Sequence, residues 1–553
     1  MTSHRPEGSL RKSIPNKICG SRNDVYEQIM DKLAPRIISY TAVDQRIVRL
    51  RGLTSLHVAL LVVIVGFTSW LGYVGFIASD DGSYSEAAIG WLDHFPYVGI
   101  NHWALRHAVV LPVALSFWLG GINEFTMMLP TKVYLLLLIL LTYGCLSRLL
   151  EQRTALLASA LIALTPVLVL PSSPSDDPVE CFFVAASFWA FYFGSEHRIN
   201  RALLLLSGIC AGLAFITRET SAIIALFYGV LFLLGRRAPR AYFFLIAGGF
   251  LAVLAIDTVY LASMTGDPLY RFHISMGAVT NDNPFHPAIA PAAPAQNGLD
   301  PSGLIVAPRL IQPVLMLFTA HQFGPLFFFA VPAGFWLWKN RGKQEPQFEI
   351  ARLSGLLGLI WFLTLSYVLL VLFVDPRYFT VTIYAAVLVV ALWLQTLSLH
   401  RVSFGLIVLF LSVGDLLMIY LDNKGLIFGE KTLVALARAS DEPIYTDPAT
   451  LGGATFLLKY TAPEHKVISG FAPAGGLFFY NPSPTRLEFH RDSIGKFEPR
   501  STWTLLRSIT EEPKRSALIL RASGLEAVLP VGIVQKLDPP LHRGYLYRVP
   551  PGS

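Results

Sequence analysis

The sequence predicts an α-helical, polytopic membrane protein of about eleven spans, with outer juxtamembrane helices and a small α/β domain at its C-terminal end. Three observations carry that prediction. First, the 553 residues are 53% hydrophobic and 15% charged, with a mean hydropathy of +0.52, where soluble domains run about 45–50% apolar and about 25% charged. This composition excludes a disordered chain, a disulfide scaffold and an ordinary soluble enzyme. Second, the chain repeatedly returns to apolar runs near the roughly 20 residues that cross a bilayer. Third, its basic loops fall on alternate sides of those runs, so the +7 net charge records loops retained in the cytoplasm and gives no reason to expect nucleic acid as a partner.

The elements follow in order. Residues 1–53 are a polar, basic, cytoplasmic tail, with some helical periodicity over Asp24–Leu50 that suits either a solvated tail or a surface helix. The first apolar run, Leu56–Phe76, is long enough to span and lacks a small-residue cleavage site, so it reads as an uncleaved anchor. Further runs lie at 126–147, 154–171, 179–195, 202–217, 219–235, 241–263, 322–338, 353–373, 379–398 and 402–421. Arg148 and Arg153, Arg198 and Arg201, Arg236, Arg237 and Arg240, Lys339, Arg341 and Lys343, and Arg401 then share the side of the tail. That is a positive-inside pattern for a multi-pass protein of the plasma (inner) membrane, with the C-terminus outside. Ala108–Leu119 is apolar but too short to span, and counting it would invert every later loop. It reads as an outer interface or re-entrant helix. The membrane domain covers 54–421. Residues 422–553 read as an extracytoplasmic α/β domain, with strands at Glu442–Thr446, Lys466–Ser469 and Ala517–Arg521 and helices at Thr432–Ala439 and Pro448–Tyr460. The four cysteines form no disulfide or zinc pattern.

Candidate chemistry gathers on the outer face. The first outer loop begins Asp80-Asp81-Gly-Ser-Tyr84, with Asp80 and Tyr84 on one helical face. The acid pair can deprotonate a hydroxyl, hold a divalent cation, or simply begin a helix. One aspartate beside another has its proton affinity raised by like charge. Arg106 and His107 follow at the start of the interface helix and suit either a phosphate or interfacial anchoring. The next outer loop carries Asp176 and Asp177 before Pro178, again a possible helix start. Arg218, Arg271 and Arg377, the last beside Tyr378, stand outside against the positive-inside trend. Anion binding explains them, and so does pairing with Glu219, Asp267 or Asp375.

These residues resemble the GT-C membrane glycosyltransferases. The acid pair after the first span with Tyr84 and Glu86-Ala, the helix containing Pro112 and Phe117–Glu124, and Leu129-Pro130 carry the likeness. Asp177-Pro178 before Phe182-Phe183, Gly212-Leu-Ala, and Arg377-Tyr378 recur in similar order, so that it spans about residues 55–400. The group includes protein O-mannosyltransferases, the lipid A aminoarabinose transferase and transferases that add galacturonic acid to lipopolysaccharide. The resemblance implies inverting transfer from a polyprenyl-phosphate sugar to an envelope acceptor (lipid, glycan or protein) at the outer face of the lipid bilayer. It implies no certain cofactor, a divalent cation at Asp80 and Asp81 being possible. Asp80 would match the catalytic acid that deprotonates or orients the acceptor, Asp81 a second acid, and Asp177 the second-loop acid. Relatives often hold the donor phosphate with a first-loop lysine. This chain has none there, so Arg106 or His107 must substitute, with Arg271 and Arg377 as further candidates.

A transporter or flippase for a lipid-linked or anionic solute is the alternative, and a scaffold presenting the C-terminal domain a third. Transporter sites lie near mid-membrane, whereas these ionisable residues gather at span ends. Asp257 is the main exception, with Lys132 and Asp415 lesser ones.

Overall fold

The computed structural model describes residues 55–171, 174–196, 198–280, 308, 310–369, 375–397, 401–421, 427–462, 466–484, 496–529 and 531–550. The basic tail with Asp24–Leu50, and the Pro/Ala-rich stretch Pro284–Pro301, lie outside the described residues. Helices dominate up to residue 421. They are α1 (Ser55–Leu71), α2 (Asp80–Asp93), α3 (His107–Gly120), α4 (Glu124–Leu149), α5 (Gln152–Leu164), α6 (Asp176–Gly194), α7 (Arg201–Thr217) and α8 (Ile223–Leu234). After them come α9 (Phe243–Thr265), α10 (Tyr270–Thr280), α11 (Gln312–Thr319), α12 (Leu326–Lys339), α13 (Pro346–Leu363), α14 (Thr380–Thr396) and α15 (Arg401–Leu421).

Every expected apolar run contains a helix. Among the described residues five are long and apolar enough to cross a membrane: Glu124–Leu149, Arg240–Thr265, Pro346–Val368, Pro376–Thr396 and Val402–Leu421. Two of the others end well short of their apolar runs. The first stops at Leu71 instead of Phe76, and the run from 154 breaks at Thr165 before a single turn, Pro166–Val169. Proline has no N–H to continue a helix, which is why the restart begins on it. The short apolar stretch Ala108–Leu119 forms a helix as expected. Gly121, in the left-handed region at φ +75°, turns the chain out of α3, and Asn123 caps α4 by accepting from the N–H groups of Phe125 and Thr126, each at 3.0 Å.

Helices α7 and α9 pack backbone to backbone. A Cβ on Gly208 would sit 2.0 Å from the Ile246 carbonyl oxygen, and one on Gly249 would sit 2.4 Å from that of Leu205. Gly208 and Gly212 form a small-xxx-small face of the kind that lets membrane helices approach closely. Helix α6 packs on the other side of α7. The bundle core, from Leu61 to Ile419, fills with Trp189, Trp361, Phe227 and Tyr384.

Beyond residue 427 lie α16 (Phe428–Ala439), α17 (Pro448–Thr461), α18 (Arg515–Ser523), α19 (Val531–Leu537) and five strands. These are β1 (Ile444–Thr446), β2 (Val467–Ser469), β3 (Leu477–Tyr480), β4 (Thr504–Thr510) and β5 (Arg543–Arg548), in one sheet ordered β2-β1-β3-β5-β4. Strand β1 runs parallel to both neighbours, and β5 antiparallel to both of its own. The expected strand at Ala517–Arg521 is instead helix α18, which ends on Gly524 at φ +68°. A four-residue apolar run fits either period, and the left-handed glycine is the helix stop that decides it.

This sheet does not stand apart. Phe76, Tyr84, Ala87, Ala88, Val110 and Phe117 of the first loop share one core with Ile427, Leu433, Ala454, Phe456 and Phe479. The Phe76 and Phe456 rings stack at 5.1 Å, and Lys431 meets Glu124 at 3.1 Å. The segment carrying Asp80 is therefore held between the helical bundle and the C-terminal sheet.

Candidate active site

The aspartates that open α2 have separate fates. Asp81 is buried and turned back on the chain. Its Oδ2 accepts the Ile77 N–H at 2.7 Å, and its Oδ1 accepts those of Ser79 at 2.7 Å and Gly82 at 3.0 Å. The helix-starting role foreseen for Asp80 thus falls to Asp81. Burial pushes the Asp81 carboxyl up to about 6 against the pull of those three N–H groups, with the Asp80 charge adding to the rise. Like-charge repulsion between the two was expected to govern the pair, but burial of one member outweighs it.

Asp80 points outward instead. Its Oδ2 lies 3.0 Å from Arg377 Nη1, and Arg377 Nε lies 3.2 Å from Asp375. The side chains of Asp80 and Arg377 keep 26% and 39% of their surface exposed, so a ligand can reach both. Asp375 also accepts the Arg377 N–H at 2.9 Å, which fixes the turn Pro376–Phe379 that presents the guanidinium.

Behind this pair lies a buried ionic network. Arg218, at the end of α7, reaches Asp177 at 2.6 Å, Asp176 at 3.2 Å and Glu180 at 3.4 Å. Its guanidinium carbon stands 4.4 Å from the Tyr378 ring centre, which joins it to the residue after Arg377. Arg106 Nη1 donates to Asp176 at 2.7 Å and to the Tyr84 hydroxyl. Ser175 caps α6, while Ser221 donates to Glu180 at 2.6 Å. Arg271 sits on Asp257 through Nε at 2.8 Å and Nη2 at 3.0 Å, and that Nη2 also donates to the Leu105 carbonyl at 2.6 Å. His107 Nδ1 is 3.2 Å from the same Asp257, and Glu219 lies 3.6 Å from Arg271 Nη1.

The structure therefore brings Asp80, Arg377, Tyr378, Arg218, Asp176, Asp177, Arg106 and Tyr84 into one connected network, and places His107 and Arg271 together on Asp257. Sequence reasoning did not include Asp257, Glu180 or Glu219 in the site. Asp257 carried a usable signal, since an acid inside an apolar run must find a partner. Arg377 pairs with Asp375 as expected, but the other pairings differ. Arg218 takes Asp176, Asp177 and Glu180 in place of Glu219, Arg271 takes Asp257, and Asp267 binds His273 at 2.7 Å.

The suggested cation site at Asp80 and Asp81 does not fit this geometry. Both Asp81 oxygens are occupied by backbone N–H groups, and among the described residues no three His, Cys, Asp or Glu side chains converge to hold a metal.

Residues 108–261, which hold α3, Asp176, Asp177, Arg218 and Asp257, match the family model described as dolichyl-phosphate-mannose-protein mannosyltransferase. No curated protein matches the chain in sequence. Among solved structures the chain is similar to ArnT from Cupriavidus metallidurans bound to undecaprenyl phosphate. The TM-score is 0.54 at 12% identity, covering 82% of this chain and 96% of that one. The apo state of the same protein gives 0.53 at 13% identity, covering 83% and 96%. The apo oligosaccharyltransferase of Archaeoglobus fulgidus gives 0.50 at 13% identity, covering 76% of this chain and 65% of that chain. The chain has the GT-C fold of membrane glycosyltransferases.

Proposed function

We propose that the protein is an inverting glycosyltransferase. It moves a sugar from a polyprenyl-phosphate donor to an envelope acceptor (a lipid, glycan or protein) at the outer membrane–water interface. The observation that carries this reading is the Asp80–Arg377 pair, a reachable carboxylate and a reachable guanidinium 3.0 Å apart in front of a buried ionic network.

On this reading Asp80 takes the proton of the acceptor hydroxyl as its oxygen attacks the anomeric carbon. The bond from that carbon to the phosphate oxygen breaks, and the polyprenyl phosphate leaves as an anion. Arg377 receives the growing charge, with Arg106 and Arg271 behind it. Attack opposite the leaving group inverts the anomeric centre without a covalent intermediate. Asp176 and Asp177 hold Arg106 and Arg218 in place. Asp81 ties the loop that presents Asp80. The undecaprenyl phosphate held by the similar ArnT structure, and the dolichyl phosphate in the name of the matched family, support a lipid-phosphate donor here. The same reading takes the chain across the inner membrane about eleven times, with a cytoplasmic N-terminus and residues 422–553 as an extracytoplasmic α/β domain.

The test compares envelope glycolipids and glycans, by mass spectrometry, in cells carrying wild type or Asp80→Asn. The variant should lose the product by about 100–10,000-fold, the usual worth of general-base catalysis, while the purified protein still binds undecaprenyl phosphate. Wild-type product levels would remove Asp80 from the reaction. Anionic solute crossing vesicles without any glycosylated product would favour the transporter instead.

A further inference from the structure

His102 stands on the loop between α2 and Arg106, and neither of its ring nitrogens has a hydrogen-bond partner among the described residues. The loop holding it is pinned from several directions. Tyr260 donates to the Tyr97 carbonyl at 2.7 Å, and Tyr270 to that of Gly99 at 3.1 Å. The Ala104 N–H donates to Asn101 Oδ1 at 2.9 Å. Gly99 and Ala104 lie so close that a Cβ on the glycine would come within 2.1 Å of the alanine methyl. The imidazole itself rests on Trp103, with ring centres 3.8 Å apart. Arg106, four residues on, is locked onto Tyr84 and Asp176. A polar ring is thus mounted rigidly and left unused by the protein.

Its surroundings define what it can bind. Burial first, and then the charge of Arg106, push its pKa down to about 4, while Glu219, Asp80 and Asp176 pull the other way. The short stretch from His102 to Arg106 ends in the guanidinium that donates to Asp176 and Tyr84, which ties the loop carrying the ring to the candidate active site. An uncharged imidazole offers one N–H donor and one nitrogen acceptor. A phosphate diester only accepts, and the site already supplies arginines for it. A hydroxyl both donates and accepts, and so matches the ring.

We infer that His102 recognises a hydroxyl of the donor sugar and so contributes to the choice of sugar. The inference rests on the glycosyltransferase reading and names a residue outside the Asp80–Arg377 pair. It is tested with His102→Ala, His102→Gln and Asp80→Asn side by side, using purified full-length protein titrated with undecaprenyl phosphate alone and the envelope product in cells. His102→Ala should keep the affinity for the sugar-free carrier within about twofold while product falls about 10–100-fold, the worth of one hydrogen bond in a closed site. His102→Gln, which keeps a donor and an acceptor, should recover part of the product. Wild-type product from His102→Ala, or equal loss of carrier binding and product in both His102 variants, would overturn the inference. If Asp80→Asn keeps its product, the parent reading falls. If Asp80→Asn loses product and His102→Ala does not, only the role of His102 falls.

Discussion

Arg377 bridges two carboxylates, standing 3.0 Å from Asp80 and 3.2 Å from Asp375, and it is the most exposed of the four arginines in the cluster. It orients Asp80 before any substrate arrives and remains open to an anion. Arg377→Ala should therefore weaken binding of undecaprenyl phosphate and lower product formation by about 100–1,000-fold, as loss of one donor to a developing oxyanion does. Arg377→Lys keeps the charge but not the fork, and should recover only part of each. Undiminished carrier affinity in Arg377→Ala, measured by titration, would take Arg377 out of the phosphate site.

Arg218 should behave differently. Its side chain is 5% exposed and faces three buried carboxylates. Removing it leaves Asp176, Asp177 and Glu180 without their shared counter-charge, which in buried ion pairs costs about 3–5 kcal/mol. Arg218→Ala is expected to show a lower melting temperature in detergent and reduced accumulation in membranes, whereas Arg377→Ala should melt close to wild type. Equal melting temperatures for Arg218→Ala and wild type would show that the network contributes little to folding.

Asp81 gives a pH signature. Its folded pKa of about 6 lies above the roughly 4 of an unfolded aspartate. The native state therefore binds a proton that the unfolded chain has not yet taken up between those values. The stabilisation from this group is fully present below about pH 4 and is lost as pH rises through about 6. Asp81→Asn should flatten the change in melting temperature between pH 5 and pH 7. It should also lower stability at pH 7, because an amide cannot accept from Ile77, Ser79 and Gly82 with both terminal atoms. The check is a set of thermal melts at the two pH values.

The sequence pattern revealed more of the helices than of their ionic pairings. Arg218, Arg271 and Arg377 each depart from the charge pattern of the other basic residues in the sequence, and a residue that breaks that pattern needs a partner or a ligand. Such a rule identifies the participants without pairing them. Arg271 finds Asp257, fourteen positions earlier, because the chain reverses at Gly266 and brings α10 back to α9. Asp80 and Asp81 are neighbours of identical type, and only the path of residues 77–82 separates their duties. Helix α18 was missed because its apolar core is too short to display a period. His102 was passed over because an unpaired polar ring is a property of three-dimensional surroundings, not of spacing.

The stacking of Phe76 on Phe456 also sets an order of events during synthesis. The Asp80 loop leaves the ribosome early, while the residues that complete its core are among the later ones made. At about 5–20 residues per second the interval is on the order of tens of seconds. During that time Phe76 lacks the Phe456 ring on which it stacks. The segment carrying Asp80 therefore gains its full packing only once the C-terminal residues that complete this core have been made.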